Sequence, residues 1–135
     1  MRTRSIGVAV LAALSALSMA SCLATEKSYG SAGVVGRYNG LELVADLPEG
    51  VSVADVTHAA DAVFREYRYE VLSVEAGDGK GTVVARPPTN NDWPKVKVTA
   101  YPFEGHTRVT IEKKPFNEES LCREIFGRLV AKLGL

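Results

Sequence analysis

Cysteine and histidine are scarce in this 135-residue chain: only Cys22 and Cys122, and only His58 and His106. Two cysteines cannot build a disulfide framework, and two imidazoles leave little for a metal centre, because a zinc site takes three or four protein ligands. Glu104-x-His106 supplies at most two, on what reads as a hairpin tip. HExxH, CxxC and GxSxG are all missing. The glycine-rich Gly77-Asp78-Gly79-Lys80-Gly81 lacks the Gly-Lys-Ser/Thr ending and the following helix of a phosphate loop, so it reads as a β-turn. These absences argue against an enzyme, and no cofactor or metal is implied.

An excess of one charge sign is missing too. The formal net charge is +0, and Lys and Arg are interleaved with Asp and Glu along the chain. A nucleic-acid partner, which needs a basic stripe to displace counterions, is therefore disfavoured.

What is present begins at the N-terminus. Met1 to Arg4 is basic, and Ser5 to Ala20 is apolar and uncharged. At about 16 residues this segment is shorter than the roughly 20 a spanning helix needs, and it reads as a signal peptide. Leu17-Ser18-Met19-Ala20-Ser21-Cys22 closes it as a lipobox, with Met19 in place of the commoner Leu. Residues 1–21 would be removed, and the Cys22 thiol would carry a diacylglycerol that holds the rest on a membrane. Arg2 and Arg4 leave with the leader, so the mature part is slightly acidic, at about −2. Leu23 rather than Asp after the lipid-bearing residue suggests the periplasmic face of the outer membrane, following lipoprotein sorting in general.

Leu23 to Gly36 is rich in Ala, Ser and Gly and shows no sustained period, so residues 22–37 read as a lipidated N-terminus and flexible tether. A coil of about 15 residues reaches on the order of 20 Å. Residues 38–135 read as one domain, since roughly 114 mature residues suffice for a single core. Leu41, Leu43, Ala45 and Leu47 alternate as a strand, ended by Pro48-Glu49-Gly50. Ser52 and Asp55 make a capping box, with Val51 and Val56 as staple, for a helix from Val53 to Tyr67. Tyr69 to Glu75 and Thr82 to Arg86 read as a hairpin whose register is ambiguous, because Leu72 and Val74 compete with Val71 for the buried face. Two more strands follow, with Val96, Val98 and Ala100, then Val109 and Ile111, facing inward. Asn117 reads as the cap of the last helix, with Phe116 stapled onto Leu121, and Cys122 falls at the centre of that helix's apolar face as a buried thiol.

The order β-α-β-β-β-β-α predicts an α+β two-layer sandwich, an antiparallel sheet with both helices on one face, similar to the TATA-binding-protein-like or helix-grip arrangement. Its polar face would carry Lys95, Lys97, Thr99, Tyr101, Arg108, Thr110 and Glu112. Lys97 and Tyr101 there are candidates for contact with an envelope partner. So is Trp93, the only tryptophan, which lies beside Asn90, Asn91 and Asp92 in the proline-bounded connection Pro87 to Pro94.

Around Tyr38, Gly40 and Leu41, through the first helix and Tyr69-Glu70-Val71, to Thr107-Arg108-Val109-Thr110-Ile111 and Phe116-Asn117-Glu118-Glu119-Ser120-Leu121, the chain resembles a family of small bacterial lipoproteins. That family is catalogued as domain of unknown function 3568. It usually has a glycine after the Phe, where this chain has Asn117, and a short turn where this chain has Pro87 to Pro94. The resemblance implies an envelope lipoprotein without an assigned activity or catalytic residues. The functional expectation is thus a lipid-anchored, non-enzymatic binding or structural module, with a carrier of a lipid or other apolar ligand between helices and sheet as the alternative. Neither reading specifies an oligomeric state.

Overall fold

The computed structural model describes residues 24–89 and 91–135, so the leader, Cys22 and Asn90 lie outside the described residues. Among the described residues there are seven strands: β1 (Thr25–Tyr29), β2 (Val34–Tyr38), β3 (Leu43–Asp46), β4 (Glu70–Ala76), β5 (Gly81–Arg86), β6 (Lys95–Phe103) and β7 (His106–Lys114). The described residues also form two helices, α1 (Val53–Glu66) and α2 (Glu119–Lys132). The strands form one antiparallel sheet in the order β1-β2-β3-β7-β6-β5-β4.

Register explains why both helices share a face. Val74, Val83, Val98, Ile111, Leu43 and Tyr38 are successive cross-strand partners, so their side chains project to one side. There α1 packs over β4, β5 and β6, while α2 lies over β2, β3 and β7. Phe64, Val56 and Val63 of α1 and Phe126, Ile125 and Leu129 of α2 close the layer, each no more than 2% exposed. The two-layer α+β sandwich is as the sequence predicts.

Several local expectations also hold. Ser52 Oγ accepts from the Asp55 amide and the Asp55 carboxylate accepts from the Ser52 amide, both at 3.0 Å, which is the capping box. The ambiguous register of β4 has a physical cause. A bulge between Val71 and Ser73 inserts one residue, so Val71 opposes Ala85 and Val74 opposes Val83 on the same face although their spacing is odd.

The tether is a correction. Residues 25–29 and 34–37, read as flexible, belong to β1 and β2, a hairpin that adds two strands to the sheet. Its turn uses Gly30 and Gly33 with φ of 69° and 67°, a conformation that costs glycine little. Tyr29 then stacks edge-on against Phe126 with ring centroids 4.9 Å apart. Gly36 makes room for that ring, because a Cβ there would stand 2.9 Å from Tyr29 Cε2. The Ser31 amide donates to the Leu135 carbonyl at 3.0 Å and ties the turn to the end of the chain.

The start of α2 is a second correction. Its N-cap is Glu118, without a side-chain cap bond, and Asn117 sits one residue earlier. The Asn117 Oδ1 accepts instead from the amides of Lys113 (3.1 Å) and Glu118 (3.0 Å), bracing the turn from β7 into the helix. Phe116 is 82% exposed and buries no staple on Leu121.

Candidate functional site

The sheet face opposite the helices is built by the same register. Glu75, Thr82, Thr99, Thr110, Val44, Arg37 and Glu26 are successive partners across all seven strands, a row with three adjacent threonines at its middle. No helix among the described residues covers this face, yet Thr82 and Thr99 are each only 8% exposed. Longer neighbours flank them on both sides, with Lys97 and Tyr101 on either side of Thr99 along β6.

Lys97 and Tyr101 are both half-buried and stand on this face, as read from the sequence. Trp93 is not part of it. It projects from the loop at the end of the sheet, at 81% exposure. Trp93→Ala is therefore expected to change unfolding free energy by less than about 0.5 kcal/mol, which urea denaturation followed by circular dichroism would check.

The sequence reading missed the fixed charges here. Tyr101 opposes Arg108, and Arg108 opposes Asp46. The guanidinium donates from Nε and the second amino group to the two Asp46 oxygens at 2.7 and 3.0 Å, and its Cζ lies 3.5 Å from the centre of the Phe103 ring. Hydrogen bonding to Arg108 holds the Asp46 carboxyl below its ordinary range. A lowered folded-state pKa means this contribution is present at neutral pH and lost as pH falls through that pKa. Spacing alone did not mark the pair, because Asp46 and Arg108 are 62 residues apart.

Between β2 and β3 the ladder stops at Gly36 and Ala45, and the strands splay. The result is a cleft of about 370 Å³ lined by Val34, Val35, Arg37, Asp46, His106 and Arg108, among others. His106 has a structural task there, since its Nδ1 donates to the Leu47 carbonyl at 3.1 Å. Its cations are already engaged: Arg37 pairs with Glu26 and Arg108 with Asp46. His58, on α1, lines a shallow groove with Ala54, Ala62 and Lys132. Among the described residues no group of three or more His, Cys, Asp and Glu is placed to hold a metal ion.

Cys122 is a free and fully buried thiol. Burial pushes its pKa up to about 11, so the nucleophilic thiolate is scarce at neutral pH. Its Sγ donates to Asn117 Oδ1 at 3.3 Å, an acceptor that a hydroxyl could also use. Cys122→Ser is accordingly expected to cost about 1–2 kcal/mol, and native-state labelling of Cys122 by a thiol reagent should proceed no faster than unfolding.

No family model matches the chain, and comparison with curated proteins finds no match. Its functional reading rests on its own residues.

Proposed function

We propose that this chain is a lipid-anchored protein of the bacterial cell envelope, held through Cys22, whose folded part is a non-enzymatic binding or structural module. The observation that carries the reading is the run from Leu17 to Cys22, placed after an uncharged apolar segment and a basic start. No helix among the described residues is long and apolar enough to cross a bilayer, and the reading assigns firm anchorage to the lipid. A module acting through its surface is favoured over a carrier by the packing between the layers. Phe64, Phe126, Val98 and Ile111 are each at most 2% exposed, and the clefts described above open at the surface. The thiol that could have served as a nucleophile is buried, and the better-placed cations are paired with carboxylates.

The test is Cys22→Ala. Without the thiol no acyl group can be attached, and firm anchoring needs two chains. The variant is expected to accumulate unprocessed or away from its membrane on fractionation. Normal processing and unchanged membrane recovery would contradict the proposal.

A further inference from the structure

Three of the most exposed apolar side chains in the described structure gather at one end of the sheet. Thr25, the first residue of β1, pairs with Tyr38, the last of β2, so the entry of the chain lies beside the turn at 39–42. Lys95, the first residue of β6, pairs with Lys114, the last of β7, which puts the 87–94 loop and the 115–118 loop at that same end. Each of these three connections presents one large apolar residue: Leu41 at 78% exposure, Trp93 at 81% and Phe116 at 82%. The other exposed large apolar residues, Val35, Leu72 and Val74, are in strands and at most 47% exposed. Loops at the opposite end, 30–33, 48–52, 77–80 and 104–105, contribute none.

Charge also separates the ends, since it is nearly balanced at this one and net acidic in the loops of the other. Glu118 is paired with Lys113 at 3.0 Å, Glu70 with Arg86 at 3.0 Å, and Asp92 lies 3.9 Å from Arg86. Lys95 and Lys114, neighbours in the ladder, are exposed and have no ion-pair partner among the described residues, against the unpaired carboxylates of Glu42 and Glu112. The opposite end carries Glu49, Asp78 and Glu104 against Lys80.

Position supplies the third argument. Because residues 25–38 are a docked hairpin, only Leu23 and Ala24 separate Cys22 from the sheet, a span of about 10 Å even when fully extended. A lipid on Cys22 therefore brings this end, and no other, against the bilayer.

We infer that this end of the sandwich is a seat on a lipid surface, in which Leu41, Trp93 and Phe116 enter the interfacial region and Lys95 and Lys114 face anionic headgroups. The inference rests on lipidation of Cys22 for its direction. Tryptophan prefers the bilayer interface, and burying one large apolar side chain raises partition about tenfold or more. The three side chains come from separate loops around the point of anchorage, which suits a fluid surface that needs no matching pocket.

Trp93 is the only tryptophan, so its emission reports on the seat without a label. The probe is the mature lipoprotein, its Cys22 acylation established by mass, reconstituted in vesicles of phosphatidylethanolamine and phosphatidylglycerol. The expected result is emission shifted to shorter wavelength, quenching by lipids brominated near the headgroup, and protection from aqueous acrylamide. Leu41→Ser with Phe116→Ser should lose most of the bromolipid quenching at an unchanged melting temperature. Acylated, vesicle-bound protein whose Trp93 stays water-like and open to acrylamide would overturn the seat while leaving the anchor intact. Protection that arises only on adding envelope proteins would also overturn it and assign the loops to a protein contact. An unacylated Cys22 with Trp93 still quenched by vesicles would remove the anchor and leave the seat standing.

Discussion

Arg123→Ala should release residues 25–38 from the domain while leaving the remaining fold in place. Arg123, on α2, donates to Glu119 Oε2 (2.8 Å), to the Tyr29 hydroxyl (2.9 Å), to the Gly36 carbonyl (3.3 Å) and to the carbonyl and hydroxyl of Thr25 (3.0 and 2.9 Å). One guanidinium thus holds both strands of the hairpin to a helix nearly 100 residues away. Its side chain is 14% exposed, so removing it strands partly buried acceptors as well as losing the bonds. The expected cost is about 2–3 kcal/mol, borne mainly by the hairpin, because it is an edge unit whose only ladder neighbour is β3. Hydrogen exchange should show amides of 25–38 losing protection while β6, β7 and α1 keep theirs. Arg123→Lys should recover little, since an ammonium cannot reach acceptors on two strands and a helix at once. Unchanged protection of 25–38 in Arg123→Ala would mean that Tyr29 on Phe126 holds the hairpin unaided.

Gly81→Ala is expected to have a comparable effect on the other half of the molecule. Gly81 opens β5 directly beneath α1, and a Cβ there would stand 2.1 Å from Thr57 Oγ1 and 3.0 Å from Val53 Cγ1. Thr57 is 4% exposed and β-branched, and its hydroxyl is committed to the Val53 carbonyl at 2.8 Å, so it cannot swing aside. Helix and strand must separate instead, at a cost of about 2–3 kcal/mol from overpacking. Thr57→Ala in the same chain should return at least half of that loss, because it removes the colliding atom. Equal costs with and without Thr57→Ala would show that the strain lies elsewhere.

How much of this was legible depends on how far each element's determinants lie along the chain. β3, β6, β7 and both helices carry their own period, and the Ser52–Asp55 box is contained in four residues, so they could be read directly. The hairpin could not. Its strands are five residues each, its turn is glycine-rich, and what fixes it is Phe126, Arg123 and Leu135, far along the chain. Composition said coil, and tertiary contacts decided otherwise. Asn117 was placed within one residue of its role, but a cap and a turn brace use the same amide and differ only in backbone geometry. Of the surface, Lys97 and Tyr101 followed from alternation along β6. The gathering of Leu41, Trp93 and Phe116 needed the strand order, which period alone does not supply.

The docked hairpin changes what the lipid would do. An anchor on a flexible coil leaves a domain free to tumble on the order of 20 Å from the bilayer. An anchor three residues before β1 fixes which end faces it. The proposed anchorage passes through Cys22, so the most direct measurement is the intact mass of the protein taken from its own membrane, with fragmentation of its N-terminal peptide. The account predicts a chain that starts at Cys22 and carries a diacylglycerol thioether on that residue. A mature chain that begins elsewhere, or begins at Cys22 with a free thiol, would contradict it.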